Sequence, residues 1–274
     1  MSKFFTIEIS DPTYEFDNLR WVTVKSKALK KRADVSLFIP KNIAPEAIKG
    51  IVILLHGVYG SHWAWSLKGG IHKTTQSLIN EEKIEPMLLI MPSDGLFGDG
   101  SGYLPHHTEN YEDWIVADLK DLIYEIHPEL KPDLPLFITG LSMGGYGAMR
   151  LGAKYPQVFK SFSGLSSITE FSQLKQFLEN EDDTILKKSV LAEESTLQWL
   201  LANKSQLPLF RFDCGKDDIL IEANRKLHQD LLENCIPHIY EEYNGTHEWP
   251  YWEEHIVDTL VFFNNLIKQP THSK

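Results

Sequence analysis

The pattern of apolar positions changes its character about forty residues into the chain. Three β-rich stretches come first, each ended by polar residues or by Pro and Gly, at residues 3–9, 20–27 and 34–40. Short continuous apolar runs follow, at residues 50–55, 87–91, 135–139, 158–164, 208–213 and 237–242. Runs of this kind are typical of parallel strands that are buried on both faces. The pattern therefore predicts antiparallel strands that lead into a parallel sheet.

Segments of helical periodicity separate these runs. The apolar stripes are Ile115, Leu119, Leu122, Ile123 and Ile126, then Ile219, Ala223, Leu227 and Leu231, and finally Ile256, Leu260 and Phe263 on a terminal helix. Strands that alternate with helices favour one doubly wound α/β domain over residues 1–274.

Residues 166–207 interrupt the alternation with acid-rich helical stretches. A crossover between parallel strands needs only about a dozen residues, so this segment is interpreted as an insertion. Above the carboxyl edge of the sheet it would form a helical cap over a site. The alternative is a packing excursion that makes no contact with a ligand.

Composition limits the classes of function. The 274 residues carry a formal net charge of −11, which disfavours binding to nucleic acid and to anionic membrane surfaces. No run of about 18 apolar residues occurs, and the N-terminus lacks the apolar core of a secretory signal. We therefore expect a cytoplasmic protein that does not bind membranes. The only two cysteines, Cys214 and Cys235, are expected to be inert thiols, with one disulfide as the alternative.

The strongest chemical motif is Gly140-Leu141-Ser142-Met143-Gly144, a G-x-S-x-G sequence. It follows the apolar run 135–139 and precedes a helix-compatible segment, which is the strand–turn–helix context that this motif requires. Glycines two residues to either side leave room for a strained turn. Ser142 is therefore the predicted nucleophile.

A serine needs a general base, and the histidine and its acid partner follow the serine in this order of triad. Five histidines qualify: His228, His238, His247, His255 and His272. His247 is favoured because it lies in a loop after the last strand. The others are expected in a helix, at the start of a strand, on a solvated helix face (His255) and in the terminal tail.

The acid should follow the preceding strand, at Asp217 or Asp218. Asp218 is preferred because it comes directly before the next apolar stripe, and Asp213 is a third candidate.

Stabilising the oxyanion requires two backbone N–H donors. Met143, which follows the nucleophile, would supply one, and Val58 in the loop Leu55-His56-Gly57-Val58-Tyr59-Gly60 would supply the other. The side chain of His56 is expected to form structural hydrogen bonds.

Four segments together resemble the putative esterase family: GLSMGGYGAM, LLHGVYG, CGKDDILIEANRKLH and NGTHEWPYWEEH. This group includes S-formylglutathione hydrolases, tributyrin, feruloyl and acetyl-xylan esterases, and mycolyltransferases. The resemblance covers about residues 20–266. It implies an α/β-hydrolase fold, which is consistent with the antiparallel strands before a mostly parallel sheet, the helices on both faces and the helical cap insertion that the pattern predicts.

The same resemblance implies Ser142 as nucleophile, Asp218 as acid and His247 as base, with Val58 and Met143 as the oxyanion hole. Leu141 and Tyr146 stand where the S-formylglutathione hydrolase branch tends to have histidines. That departure favours the tributyrin and feruloyl branch.

Aromatic residues crowd the predicted catalytic loops. The candidate substrate-binding residues are Trp63, Trp65, Tyr103, His107, Trp249 and Trp252. Such side chains suit stacking on a sugar ring or an aryl group, although they could instead support long loops. No metal site is expected, because the adjacent His106 and His107 would point in opposite directions in an extended chain.

The sequence therefore predicts a serine carboxylesterase that needs no cofactor and acts on small or short-chain acyl esters, including acetyl or aryl esters of carbohydrate. One alternative is a thioesterase of the S-formylglutathione hydrolase type, or an acyltransferase, on the same triad. Another is a catalytically silent scaffold that serves as a binding module. The expected partner is a small-molecule ester, and the sequence is compatible with a homo-oligomer.

Overall fold

Within the residues that the structure describes, nine strands form one mixed sheet. The computed structural model describes residues 2, 4–95, 98–178 and 195–269. The strands are β1 Phe4–Ile9, β2 Leu19–Ser26, β3 Arg32–Phe38, β4 Gly50–Leu55, β5 Met87–Pro92, β6 Leu136–Leu141, β7 Ser161–Leu165, β8 Arg211–Gly215 and β9 Ile239–Tyr243. Their order in the sheet is β1-β2-β3-β5-β4-β6-β7-β8-β9.

The first three strands pair antiparallel, and β3 pairs antiparallel with β5. All the remaining pairs, from β5 through β4 to β9, are parallel. This arrangement confirms the predicted α/β fold and its antiparallel entry. Because the carboxyl ends of parallel strands meet at one edge of the sheet, the loops after β4, β6, β8 and β9 come together there.

Helices cover both faces of the sheet. They are α1 Ile71–Asn80, α2 Tyr111–Asp113, α3 Leu119–Ile126, α4 Met143–Lys154, α5 Thr196–Ala202, α6 Ile221–Glu233 and α7 Trp249–Lys268. Wider π-type turns occupy Ala64–Lys68 and Trp114–Asp118, and tighter 3-10 turns occupy Pro45–Ala47 and Phe171–Phe177.

The core consists of two apolar layers, one on each face of the sheet. Along β4, Ile51 and Ile53 pack into the layer that includes α3 and α4, whereas Val52 and Leu54 pack into the layer that includes α1 and α7. This alternation follows from the period-2 geometry of a strand. A strand buried on both faces needs apolar residues at every position, which explains the continuous run 50–55.

Several boundaries differ from the predicted ones. The runs 158–164, 208–213 and 237–242 become β7, β8 and β9, which begin two or three residues later than predicted. Phe159 and Phe210 are buried in the core although they precede their strands, so apolar character does not mark where these strands start. Ile219 was predicted to begin an apolar stripe, but it is 63% exposed, and α6 begins only at Ile221.

The predicted insertion is described only in part. Phe171–Phe177 forms a 3-10 turn that begins with a capping box between Glu170 and Gln173, and α5 lies near the other end. Residues 179–194, which hold most of the acid-rich stretches, lie outside the described residues.

The described structure also answers the questions of the two cysteines and of membrane-spanning helices. Cys214 is buried, Cys235 is exposed, and both are free thiols. In the part of the chain that the structure describes, no helix combines the length and the apolar character needed to cross a membrane.

Candidate active site

Ser142 occupies the tight turn between β6 and α4. Its backbone has φ 54° and ψ −119°, a conformation that residues with side chains rarely adopt and that surrounding structure must hold in place. A Cβ on Gly140 would lie 2.4 Å from the backbone of Gly144, and a Cβ on Gly144 would lie 2.3 Å from the carbonyl oxygen of Leu55. The amide of Ser142 donates a hydrogen bond of 3.0 Å to the carbonyl of Leu165 on β7. Close packing of strand against helix therefore explains both glycines of the motif.

Asp218 lies in the loop between β8 and α6. Its side chain is fully buried, and one carboxylate oxygen accepts the N–H of Leu220 at 2.8 Å. The neighbouring Asp217 is exposed. Of the two adjacent acids, only Asp218 lies at hydrogen-bonding distance from His247 in the described structure.

His247 lies in the loop between β9 and α7, and it connects Asp218 to Ser142. Its Nδ1 lies 2.9 Å and 3.1 Å from the two carboxylate oxygens of Asp218. Because an ionised carboxylate can only accept, Nδ1–H is the donor and Nε2 is left as an acceptor. The hydroxyl of Ser142 lies 3.0 Å from Nε2 and donates to it. This tautomer is the one that allows a histidine to take a proton from serine.

Backbone hydrogen bonds join the loop that carries His247, between β9 and α7, to the loop that carries Asp218, between β8 and α6. The amide of Lys216 donates to the carbonyl of Tyr243 at 2.8 Å, and the amide of Asp217 donates to the carbonyl of Gly245 at 3.1 Å. Gly245 has φ 139°, and a Cβ there would lie 2.8 Å from the ring of Tyr251. A side chain at Gly245 is thus excluded both by the positive φ of the backbone and by the nearby ring of Tyr251.

A buried ionic cluster lies behind these loops. The third acid candidate, Asp213, is fully buried, contacts Arg211 at 3.0 Å and accepts a hydrogen bond of 2.9 Å from the hydroxyl of Tyr251. Burial raises the pKa of Asp213 to about 6, although the Arg211 charge opposes this shift. Asp213 is therefore engaged by Arg211 and Tyr251 and not by His247.

The expectation that His255 lies on a solvated face was wrong. The residue is 6% exposed, and its ring stacks on that of Tyr243 with centroids 3.9 Å apart. Trp252, His255 and Ile256 are buried, so this position lies on the inner side of α7.

The loop after β4 carries the first candidate oxyanion donor. Val58 lines the cavity beside Ser142. Met143 is the first residue of α4, so its N–H has no acceptor within the helix. This helix start also places the positive end of the α4 dipole beside Ser142.

Hydrogen bonds from buried side chains stabilise the loop after β4. His56 donates from Nδ1 to the carbonyl of Gly57 at 2.7 Å and accepts the amide of Asp94 on Nε2 at 3.2 Å. The hydroxyl of Tyr103 donates to the His56 carbonyl at 2.9 Å. His56 is thus a structural hydrogen-bonding residue, as predicted.

A cavity of about 420 Å³ opens directly onto Ser142 and His247. Its remaining lining residues are Gly57, Val58, Tyr59, Gly60, Trp63, Ala64, Lys68, Leu141, Phe177, Glu248, Trp249 and Trp252. The wall is mainly aromatic and apolar, and Lys68 and Glu248 bring opposite charges to it. A cavity of this size accommodates a small organic ligand.

Three of the six predicted substrate-binding residues line this cavity, namely Trp63, Trp249 and Trp252. The other three do not. Trp65 is buried and donates its indole N–H to the carbonyl of Leu55 at 2.9 Å. Tyr103 is buried behind residues 56–60, the loop after β4, which is called the oxyanion loop after its predicted role. His107 is exposed outside the cavity. Trp65 and Tyr103 support the loops instead of facing a ligand, which was the alternative interpretation of the aromatic residues.

Sequence reasoning missed Phe177 and Lys68 as cavity residues. Phe177 carries no local signal, because it reaches the cavity from the insertion, 70 residues before His247 in the sequence. Lys68 lies five residues after Trp63, on the same π-type turn that follows the oxyanion loop, so its position along the chain could have indicated it.

Among the described residues, no group of three or more His, Cys, Asp or Glu side chains is arranged to hold a metal ion. His106 is buried and lies 2.9 Å from the carbonyl of Ser101 through Nε2, whereas His107 is exposed. The two rings are thus in different surroundings, as expected for adjacent residues of an extended segment.

The family described as Putative esterase matches residues 26–263, which include all of the loops at this site. The chain belongs to that family. It is accordingly a carboxylic ester hydrolase, and the sheet described above is that of an α/β-hydrolase esterase.

Relatives of this esterase share its length as well as its fold. An acetyl esterase of Caldicellulosiruptor saccharolyticus is 24% identical over 267 residues, which cover 88% of this chain and 96% of the relative. A ferulic acid esterase structure superposes with a TM-score of 0.79 at 20% identity, covering 96% of this chain and 99% of the other. FphF, a fluorophosphonate-binding serine hydrolase of Staphylococcus aureus, gives a TM-score of 0.74 at 22% identity, covering 92% and 98%.

Proposed function

We propose that Ser142, His247 and Asp218 are the catalytic triad of this esterase, and that it hydrolyses small or short-chain acyl esters through an acyl-enzyme. One observation carries the proposal: an unbroken hydrogen-bonded path from the buried carboxylate of Asp218 through the imidazole to the serine hydroxyl, at 2.9 Å and 3.0 Å. The path ends in the cavity, at a serine held in a strained turn.

Acylation begins when Ser142 Oγ forms a bond to the carbonyl carbon of the ester and its proton passes to His247 Nε2. The negative charge that develops on the carbonyl oxygen is stabilised by the amides of Met143 and Val58. Removing one such donor typically costs about 10²–10³ in kcat. Asp218 holds the imidazole in the correct tautomer and stabilises the imidazolium without taking the proton.

Collapse of the tetrahedral intermediate breaks the bond to the alcohol oxygen, which receives the proton from His247 Nε2. Water then adds to the acyl-enzyme with His247 as the base, releasing the carboxylic acid and restoring the Ser142 hydroxyl. Each proton that leaves one oxygen is delivered to another. The three side chains of the proposed triad and the two backbone amides are thus the protein groups that these steps use.

Short acyl esters, including acetyl or aryl esters of carbohydrate, are the proposed substrates. The aromatic lining by Trp63, Trp249 and Trp252 supports this assignment, because such rings stack on sugars and on aryl groups. The similarity to an acetyl esterase and to a ferulic acid esterase points in the same direction.

Hydrolysis of p-nitrophenyl acetate by wild type and Ser142→Ala tests the proposed nucleophile. We expect kcat to fall by about 10⁶, since loss of the nucleophile has an effect of that order in serine hydrolases. Retention of more than about a thousandth of the wild-type kcat would refute the assignment. Acetyl, butyryl, dodecanoyl and feruloyl esters, each with and without a sugar as the alcohol, would then define the substrate. A preference for long acyl chains without carbohydrate would contradict the proposed class.

A further inference from the structure

Phe177 covers one face of the catalytic histidine candidate. Its ring centroid lies 5.1 Å from that of His247, and the two planes are tilted by 31°. The edge-on ring of Trp252 lies 5.0 Å from the same imidazole, at an interplanar angle of 90°. Phe177 also lines the cavity. The imidazole is thus flanked by two rings, while its nitrogens stay bonded to Asp218 and Ser142.

The two flanking rings have different origins. Trp252 belongs to the first turn of α7, a 20-residue helix packed on the sheet, so the fold itself fixes its place. Phe177 ends the 3-10 turn of Phe171–Phe177, in the segment predicted as an insertion, and it is only partly buried. Phe177 packs at the margin of the core layer that includes α3 and α4, so its position depends on this packing together with its contacts at the cavity.

Tyr59, which also lines the cavity, forms a hydrogen bond to the backbone of Phe177. The hydroxyl of Tyr59 donates a hydrogen bond of 2.8 Å to the Phe177 carbonyl, across 118 residues of sequence. The Tyr59 amide donates to the carbonyl of Asp99 at 2.9 Å. The backbone of Tyr59 has φ 57°, a left-handed conformation that residues with side chains rarely adopt. The loop after β4 thus holds Tyr59 in a conformation from which its hydroxyl reaches the Phe177 carbonyl.

The chemistry of the proposed triad indicates which part of the ester substrate lies beside Phe177. In the tetrahedral intermediate the oxyanion points to the Val58 and Met143 amides, whereas the alcohol oxygen must reach His247 Nε2 to receive its proton. The alcohol therefore leaves along the wall that carries His247, and Phe177 is part of that wall. The acyl group then extends away from both the oxyanion donors and the wall that carries His247.

We propose that Phe177, fastened by Tyr59, is the residue that sets the upper size limit on the alcohol portion of the ester. This inference rests on the proposed triad. It goes further because it assigns selection of the alcohol and selection of the acyl group to different parts of the site. The contact between Phe177 and Tyr59 would select the alcohol, and other parts of the cavity would select the acyl group. The Tyr59 hydroxyl acts only through Phe177, so it is a positioning group.

Two ester series separate these specificities. The first keeps the acetyl group and enlarges the alcohol, as methyl, phenyl and 2-naphthyl acetate. The second keeps p-nitrophenol and lengthens the acyl group, as acetate, butyrate and hexanoate. Acid release is followed for wild type, Phe177→Ala, Phe177→Leu and Tyr59→Phe, and kcat/KM is compared because it covers the steps up to departure of the alcohol. Phe5→Ala, which removes a 77% exposed ring on the edge strand β1, is the control.

We expect Phe177→Ala to raise the ratio of kcat/KM for 2-naphthyl over methyl acetate by about tenfold, the size of effect that one or two methylenes produce in an apolar pocket. Phe177→Leu and Tyr59→Phe should move the ratio in the same direction by smaller factors, and the acyl series should keep its wild-type ranking. Phe5→Ala should leave both series unchanged.

The inference is overturned if the alcohol ratio stays constant or falls in Phe177→Ala, if the acyl ranking changes instead, or if Phe5→Ala reproduces the effect. Tyr59→Phe keeps the ring and removes one hydroxyl, so it decides the outcome if Phe177→Ala does not fold. Failure of the proposed triad is seen separately, as hydrolysis that persists in Ser142→Ala.

Discussion

At the scale of single residues, the adjacent carboxylates Asp217 and Asp218 have opposite surroundings. The side chain of Asp218 is fully buried against His247, whereas Asp217 is exposed on the same loop. Both positions suit the cap of a following helix, so the sequence could rank them only by their distance from the next apolar stripe. The buried contact with the imidazole is what distinguishes them.

Substitution of each acid by asparagine tests this difference. Asp218→Asn should lower kcat by about 10⁴, because the amide can stabilise the wrong imidazole tautomer and no longer balances the imidazolium. Asp217→Asn, the matched control one residue away, should stay within about threefold of wild type, since exposed substitutions have small effects. Steady-state kinetics on p-nitrophenyl acetate measures both. The reverse pattern would assign the acid to Asp217.

The buried carboxyl of Asp213 predicts a pH dependence of stability. Burial raises the pKa of Asp213 to about 6 from its usual 3.8, so the folded chain holds a proton that the unfolded chain releases. The stability this proton contributes is fully present below pH 3.8 and is lost as the pH rises through about 6. Relative to Asp213→Asn, wild type should therefore lose free energy of unfolding between about pH 4 and 7.

Urea unfolding of the two proteins across this pH range measures the trend, with Asp217→Asn as the reference for loss of one negative charge. A difference between wild type and Asp213→Asn that stays flat, or that grows in favour of wild type with rising pH, would contradict the raised pKa.

Single residues also show how far the sequence could predict the site. Ser142 and His247 follow from motif and chain order, because a strand–turn–helix elbow and a loop after the last strand leave little freedom of position. Trp65 and Tyr103 lie in the right loops but point into the protein. Loop position does not determine side-chain direction, which depends on partners such as the carbonyls of Leu55 and His56.

At the scale of elements, the elbow depends on contact between α4 and β4. A Cβ on Gly144 would meet the carbonyl oxygens of Leu55 and His56 at 2.3 Å and 2.6 Å. These are backbone atoms at the end of a central strand, so they cannot move aside cheaply. A Cβ on Gly50, at the other end of β4, meets the terminal carbon of the Ile267 side chain at 3.0 Å.

Gly144→Ala should therefore lower the free energy of unfolding by about 3 kcal/mol or more, even though alanine is intrinsically the better helix former by about 1 kcal/mol. Gly50→Ala should cost about 1 kcal/mol, since a flexible side chain can give way. Chemical denaturation of both variants provides the comparison. Equal stability of the two would mean that the close approach of α4 to β4 is not what requires glycine in the motif.

Elements also show where pattern reasoning stops. Continuous apolar runs identified the buried strands but misplaced the starts of β7, β8 and β9, because loop residues such as Phe159 and Phe210 also fill the core. The stripe assigned to Ile219 failed because Asp218 and the turn after it belong to the loop that follows β8, and α6 begins only at Ile221. The apolar character of Ile219 therefore did not mark the start of the helix.

At the scale of the whole molecule, the parallel sheet is what assembles the site. Ser142 and His247 are 105 residues apart in sequence, yet their side chains meet at 3.0 Å because β6 and β9 end at the same edge. The order of motifs along the chain was sufficient to predict this meeting. The contact of Phe177 with His247 was not predictable, since it joins an insertion to loops that are distant in the sequence.

Reaction with a fluorophosphonate tests the central claim most directly, because such probes react only with a serine that a neighbouring base has activated. Intact mass should increase by one phosphonyl group per chain, peptide mapping should place it on Ser142, and Ser142→Ala should remain unlabelled. Asp218→Asn should react much more slowly than Asp217→Asn. Labelling at another residue, or equal labelling of Ser142→Ala, would contradict the assignment of Ser142 as the nucleophile.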